Sequence, residues 1–247
     1  MKKSILLLCA VCLFGCTKTQ PEFCTVYLFI DVTDIEFKSA PRYLSDIPLI
    51  LRKMKVDTLQ GGIDGGELRL FLINDLSESK SIVLQLAKGV PGLLGQNPLD
   101  RIDEIKKFAK GVRQNLATLS EEAKWQTDQS KIYQNLCREL NNLVRTNSER
   151  KIVIIYSDML ENSNLFSLYG PEIEKVHRYL QDMKLADKEL RTDCQMPDLS
   201  GVEINVVTFR DKTNDERVNL ASKFWSALFE QKNAKIRFDS ELLDESL

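Results

Sequence analysis

Acidic and hydroxyl side chains follow two apolar runs of the sequence at the points where those runs end. The run VYLFI (26–30) leads directly into DVTDI (31–35), and the run IVIIY (152–156) leads into Ser157-Asp158-Met159. A third polar group, TDQS (127–130), precedes a segment of helical period. Carboxylate and hydroxyl oxygens are hard ligands that suit a divalent cation such as Mg²⁺. These segments predict an oxygen-lined site if the fold brings them together.

The elements that would position these groups follow from the pattern of apolar residues. Six apolar runs, at 26–30, 68–73, 82–86, 152–156, 204–209 and 236–238, are continuous enough for strands that are covered on both faces. Between them, near 102–116, 132–143, 173–183 and 218–228, apolar residues step by three and four, as in amphipathic helices. This alternation predicts a three-layer α/β/α fold with a mostly parallel central sheet.

One connection departs from that alternation. Only seven residues, 74–80, separate the second run from a third strand that begins near Ser81, and such a link is too short for a parallel crossover and fits a hairpin. We therefore expect one antiparallel edge strand in a single domain without internal repeats. Because ligands of open α/β sheets lie beyond the carboxyl ends of the strands, the segments after the first and fourth strands are expected to meet.

This order of elements and these polar residues resemble the von Willebrand factor A (vWA) domains. That family builds a metal-ion-dependent adhesion site from Asp-x-Ser-x-Ser after the first strand, a Thr before a later helix and an Asp after the fourth strand. The resemblance implies Asp31, Thr33, Thr127 and Asp158 as ligands of Mg²⁺. It also implies a binding module whose protein partner completes the coordination of the cation with a carboxylate.

Several alternatives stay open at this stage. Ile35 occupies the place of the second Ser and offers no oxygen, so a scaffold that binds partners without metal competes with the Mg²⁺-dependent module. Asp31 at a strand end could instead cap the next helix or accept hydrogen bonds from loop N–H groups, and Thr127 could be a helix N-cap. Asp34 and Asp128 are candidates to replace the missing ligand.

The amino terminus has the features of an export signal. Lys2 and Lys3 precede an apolar run, 5–14, that is too short to span a bilayer as a helix. The sequence LFGC (13–16) resembles the bacterial lipobox. We therefore expect a signal peptide at 1–15, a lipidated Cys16 with its tether at 16–23, and one domain at 24–247. Thr17 after the Cys favours the outer membrane of a bacterial envelope, on its periplasmic or surface face.

The amino-acid composition argues against several other classes of function. The chain of 247 residues has 34 basic and 36 acidic side chains, so its net charge of −2 gives no reason to expect a nucleic-acid partner. It has a single His, His177, which excludes a site of several imidazoles and leaves a Ser-His-Asp or Cys-His system only one possible base. We expect a binding protein that is not an enzyme, and the sequence identifies no small-molecule substrate.

Two other functions compete with that hypothesis. Asp31 after the first strand also resembles the nucleophile of haloacid-dehalogenase-like phosphatases, but Thr33 stands where those enzymes have their second Asp. The third hypothesis is a metal-free structural component of an envelope assembly. Outside the leader and the lipidation site, three cysteines remain, Cys24, Cys137 and Cys194. They allow at most one disulfide, whose partners the sequence leaves open.

Overall fold

The computed structural model describes residues 20–59, 61–75, 81–90, 95–123, 125, 129–209 and 215–243. Its strands are β1 (Phe23–Asp31), β2 (Gly65–Ile73), β3 (Ile82–Leu86), β4 (Arg150–Tyr156), β5 (Val202–Val207) and β6 (Lys235–Asp239). Its helices are α1 (Glu36–Ser39), α2 (Arg42–Ser45), α3 (Ile47–Lys53), α4 (Pro98–Glu122), α5 (Ile132–Val144), α6 (Ile173–Gln181), α7 (Met183–Leu190) and α8 (Glu216–Gln231).

The strands form one six-stranded sheet in the order β3-β2-β1-β4-β5-β6. Every neighbouring pair is parallel except β2 and β3, which are antiparallel and place β3 at the edge. The predicted three-layer α/β/α class with one antiparallel edge strand is therefore confirmed. The central strand β1 pairs with β2 and β4, and eight of its nine residues are buried. That burial explains its continuous apolar sequence.

Alternating residues of the sheet pack against two separate helical layers. Tyr27 and Phe29 of β1 face the layer made by α5 to α8, and Val26 and Leu28 face the layer made by α1 to α4. The first layer includes an aromatic cluster in which Trp225 stacks on Phe229, with ring centroids 5.6 Å apart. Because successive side chains of a strand point to opposite faces of the sheet, the core consists of two parts, one on each face.

Several local features differ from the sequence-based expectations or were not predicted. The helix predicted at 173–183 ends at Gln181, and Met183 begins a second helix, α7. Asp182 separates them, because its side chain accepts hydrogen bonds from the backbone N–H groups of Lys184 (3.0 Å) and Leu185 (3.2 Å) and starts α7. The three short helices α1 to α3 fill the connection from β1 to β2. Of the cysteines, Cys137 and Cys194 form a disulfide between α5 and the loop after α7, and Cys24 is a buried thiol.

The predicted leader, lipidation site and first part of the tether, at 1–19, lie outside the described residues, and so do Thr127 and Asp128. In the part of the chain that is described, no helix is both long and apolar enough to cross a membrane.

Candidate functional site at the carboxyl edge of the sheet

The ends of β1 and β4 bring the two acidic segments together. These strands are parallel neighbours and Ile30 lies opposite Tyr156, so the residues that follow, Asp31 and Ser157, are adjacent at the carboxyl edge. The Ser157 hydroxyl donates a hydrogen bond of 2.6 Å to Asp31 Oδ2. The meeting of these segments, which the sequence predicts, is therefore present in the structure.

Asp31 is the organising group of this edge. Its side chain is fully buried, and its Oδ1 accepts hydrogen bonds from both the backbone N–H (2.9 Å) and the hydroxyl (2.6 Å) of Thr33. Together with Ser157, these donors satisfy both carboxylate oxygens. A hydroxyl that donates its proton to a carboxylate still has lone pairs for another partner. Asp31 therefore orients the Thr33 oxygen as a potential ligand.

Asp158 follows β4 on a loop that the core holds in place. The carboxylate is 8% exposed, and its Oδ1 accepts a hydrogen bond of 3.0 Å from the backbone N–H of Leu160. The next residue, Met159, has a φ of 59°, a left-handed conformation that is uncommon for a residue other than glycine. The Ser157 hydroxyl accepts from the Met159 N–H (2.8 Å), and the Trp225 indole N–H donates to the Met159 carbonyl (2.9 Å). These two bonds fix the turn that carries Asp158.

The two carboxylates influence each other electrostatically. Burial, and after it the negative charge of Asp158, raises the pKa of Asp31 to about 7, although the hydrogen bonds from Ser157 and Thr33 act in the opposite direction. The hydrogen bonds therefore do not fully offset the cost of keeping Asp31 charged at this edge. A bound cation would favour the charged form of Asp31.

Glu161 is a buried acid beside this site that the sequence analysis missed. Its side chain is fully buried, and its Oε2 accepts a hydrogen bond of 2.8 Å from the backbone N–H of Tyr133 in the first turn of α5. Burial raises the pKa of Glu161 to about 8, and the charge of Asp31 adds to that effect. Glu161 lies beyond the strand end, so only its position three residues after Asp158 in the sequence could have pointed to it.

The remaining predicted positions have distinct surroundings. Ile35, 39% exposed, precedes the first turn of α1 and supplies no oxygen. Asp34, one of the two proposed replacements, uses its Oδ1 to accept a hydrogen bond of 3.0 Å from the backbone N–H of Glu36 at the start of that helix. Among the residues described, no three His, Cys, Asp or Glu side chains are grouped so that they could hold a metal ion. A cation at this edge would therefore depend on hydroxyl oxygens as well as on Asp31 and Asp158.

The rim of the site has side chains suited to protein contact. Tyr169, in the loop between β4 and α6, is 39% exposed, and the Arg217 guanidinium lies 5.3 Å from the centroid of its ring. Arg217 also forms an ion pair of 3.1 Å with Asp215. Asp215 raises the pKa of Arg217, and the charge of Asp158 contributes to the same shift. A cation and an aromatic ring thus stand near the acidic edge.

Comparison with known proteins gives distant structural likenesses. The sequence matches no protein-family model and no curated protein. The human COPII-coat protein Sec24c is similar with 12% identity and a TM-score of 0.42, over 89% of this chain and 30% of that one. The pilus adhesin SpaC from Lactobacillus rhamnosus GG, in its open conformation, is similar with 11% identity and a TM-score of 0.39, over 87% of this chain and 30% of that one. The chain thus spans less than a third of the length of either protein.

Proposed function

We propose that this protein is a binding module of the vWA kind that takes a protein partner at the carboxyl edge of its sheet. The observation that carries the proposal is the convergence of Asp31, Thr33 and Asp158 at the ends of β1 and β4. The sheet with a single antiparallel edge strand agrees with the same resemblance. Grooves beyond strand ends are the usual binding places of open α/β sheets.

We further propose that Mg²⁺ takes part in this binding. The Asp158 carboxylate and the Thr33 hydroxyl would hold the ion, with Asp31 orienting the hydroxyl and Thr127, outside the described residues, as a further ligand. Bound Mg²⁺ would supply positive charge and a coordination position for a carboxylate of the partner. The raised pKa of Asp31 supports the proposal, because a cation would relieve the repulsion between the two acids.

The surroundings of Asp31 favour binding over catalysis. A nucleophilic carboxylate must reach its substrate, whereas Asp31 is fully buried and both its oxygens accept hydrogen bonds. Thr33 also stands where the phosphatase alternative needs a second carboxylate. The rim residues Tyr169 and Arg217 instead offer an aromatic surface and a cation, which are enriched in protein interfaces.

The proposed place of action is the bacterial cell envelope, with the chain anchored through a lipid on Cys16. This part of the proposal rests on the lipobox-like sequence LFGC (13–16). Metabolic labelling with palmitate tests it, because label is expected on the wild-type chain and not on Cys16→Ala. Equal labelling of both chains would refute the anchor.

Calorimetric titration of Mg²⁺ tests the metal proposal. We expect saturable heats with the full wild-type chain and loss of binding, by at least about tenfold, in Asp158→Asn, which removes a charged ligand of the ion. Asp103→Asn is the matched control, since Asp103 is an exposed acid of α4 and should bind Mg²⁺ like the wild type. Indistinguishable titrations of wild type and Asp158→Asn would refute a metal site at this edge.

A further inference from the structure

A groove of 640 Å³ lies between α3 and the middle of α4. The buried side chains of Ile47, Leu51 and Val56, each at most 3% exposed, lie beneath it, and the exposed Pro48 adds apolar surface. Ala109 lies on the α4 side. The volume falls within the range of about 300–1000 Å³ that is typical of ligand pockets. The groove is therefore large enough to accept several apolar side chains.

The groove extends toward the edge of the sheet opposite the proposed metal site. Lys55, which lines it, forms an ion pair of 2.7 Å with Glu22, just before β1 begins. Asp31 is at the other end of that nine-residue strand, which spans roughly 27 Å. An occupant of the groove would therefore not compete directly with a ligand of the carboxyl edge.

Basic side chains dominate the rim. Four cations, Arg52, Lys55, Lys110 and Arg113, line the groove with a single acid, Asp57, and of these Lys55 is paired with Glu22. Lys110 and Arg113 are exposed on successive turns of α4, and among the described residues neither forms an ion pair. This local excess of positive charge contrasts with the net charge of −2 of the whole chain. It would attract an acidic partner.

An exposed apolar side chain adjoins the same groove. Leu59 is 83% exposed, the largest exposed fraction among the large apolar residues described. A single exposed leucine is ordinary, but this one lines the same groove as Pro48 and Ala109. Apolar surface inside a basic rim is complementary to a segment with apolar residues on one face and carboxylates beside them.

We infer that the α3–α4 groove docks an acidic amphipathic helix of a protein partner. Two helices form its walls, and a third helix can lay its apolar face between them while its carboxylates pair with Lys110 and Arg113. An anionic lipid surface would meet the same rim and Leu59. A flat surface, however, contacts only the rim, whereas a helix can enter the groove between α3 and α4, so the concave shape favours a helix. This interaction is separate from the function proposed for the carboxyl edge.

A designed peptide tests this inference on the full chain. The probe is a fluorescein-labelled 18-residue peptide with leucines along one helical face, glutamates on both flanks and alanines elsewhere, read by fluorescence anisotropy. We expect saturable binding that weakens at least about tenfold in Lys110→Glu/Arg113→Glu and about threefold in Leu59→Gln. The control pair Lys184→Glu/Lys188→Glu, exposed on α7 in the other helical layer, should bind like the wild type.

Further experiments distinguish between the possible occupants of the groove. The same peptide with lysines for glutamates should not bind, and affinity for the acidic peptide should fall with added NaCl. All changed side chains are exposed, and circular dichroism should show that each variant folds. Absence of saturable binding, or equal affinity of the wild type and the Lys110→Glu/Arg113→Glu variant, would overturn the inference. Preferential binding to phosphatidylglycerol vesicles would overturn the inference in favour of a lipid surface. A dimer of the wild type in analytical ultracentrifugation that becomes a monomer in Lys110→Glu/Arg113→Glu would overturn it in favour of a second copy of this chain.

Discussion

At the carboxyl edge of the sheet the central charged groups are acidic and buried, whereas along the α3–α4 groove most charged groups are basic and exposed. Asp31 and Glu161 are fully buried. Hydroxyl and backbone N–H groups donate to both oxygens of Asp31, and a backbone N–H donates to Oε2 of Glu161. Lys110 and Arg113 extend into solvent from the surface of a helix. The edge is a small, fixed arrangement whose negative charge suits the cation proposed there. The groove offers area and diffuse positive charge that suit a longer acidic segment.

This difference determines how the two regions affect the stability of the fold. Buried charges alter the free energy of unfolding, because the folded chain must remove them from water. Exposed charges on a helix contribute little to that free energy. Substitutions at the carboxyl edge should therefore change both folding and binding, whereas substitutions at the groove should change binding alone.

The largest effect on stability is expected from Trp225→Ala in α8. Trp225 is fully buried, stacks on Phe229 and donates the hydrogen bond that fixes Met159 beside Asp158. Removing such a side chain from a core typically lowers the free energy of unfolding by about 3–5 kcal/mol. Urea unfolding should show this loss, while Leu59→Gln at the groove should stay within about 0.5 kcal/mol of the wild type. A loss below about 1 kcal/mol in Trp225→Ala would contradict the support assigned to this residue.

A smaller effect is expected from pH. The pKa of Glu161 is about 8 in the folded chain and 4.5 for an ordinary Glu, so between these values the folded state holds more protons than the unfolded state. The stabilising contribution of protonated Glu161 is complete below pH 4.5 and is lost as the pH rises toward 8. Between pH 5 and 8 we expect this group to lower the free energy of unfolding by about 3 kcal/mol.

Asp31 likewise lowers the free energy of unfolding as the pH rises, and its contribution ends near its pKa of about 7. Unfolding curves at several pH values should therefore show stability falling from pH 5 to 8, with a shallower fall in Glu161→Gln. Lys110→Glu/Arg113→Glu provides the comparison at the groove and should keep the wild-type dependence. An identical pH dependence in Glu161→Gln and the wild type would contradict the buried, protonated state of this acid.

The fold and the positions of Asp31 and Asp158 at the carboxyl edge could be predicted because short stretches of sequence indicate them. Continuous apolar runs predict the buried strands, and the short connection at 74–80 predicts the antiparallel edge strand. Asp31 and Asp158 follow strand ends directly, and parallel strands place such residues at one edge whatever the loops do. These inferences need only the order of elements and the side-chain types at their ends.

Other features depend on contacts between distant parts of the chain. The burial of Glu161 results from the packing of its loop against the start of α5 at Tyr133. Cys137 and Cys194 are 57 residues apart, and connectivity among three cysteines does not follow from their spacing. The helices α1 to α3 have four to seven residues, too few for a clear periodic signal. The groove also joins Leu51 of α3 to Ala109 of α4, so no local pattern indicates it.

Calorimetric titration of Mg²⁺ into full-length Ile35→Ser, beside the wild type and Asp158→Asn, tests the central claim most directly. The exposed Ile35 occupies the position at which the vWA pattern has a hydroxyl, so the substitution restores an oxygen at little cost to the core. We predict that Ile35→Ser binds Mg²⁺ about tenfold more tightly than the wild type, equivalent to about 1.4 kcal/mol, and that Asp158→Asn binds more weakly than both. Equal heats in all three chains would contradict a metal-dependent site at the carboxyl edge.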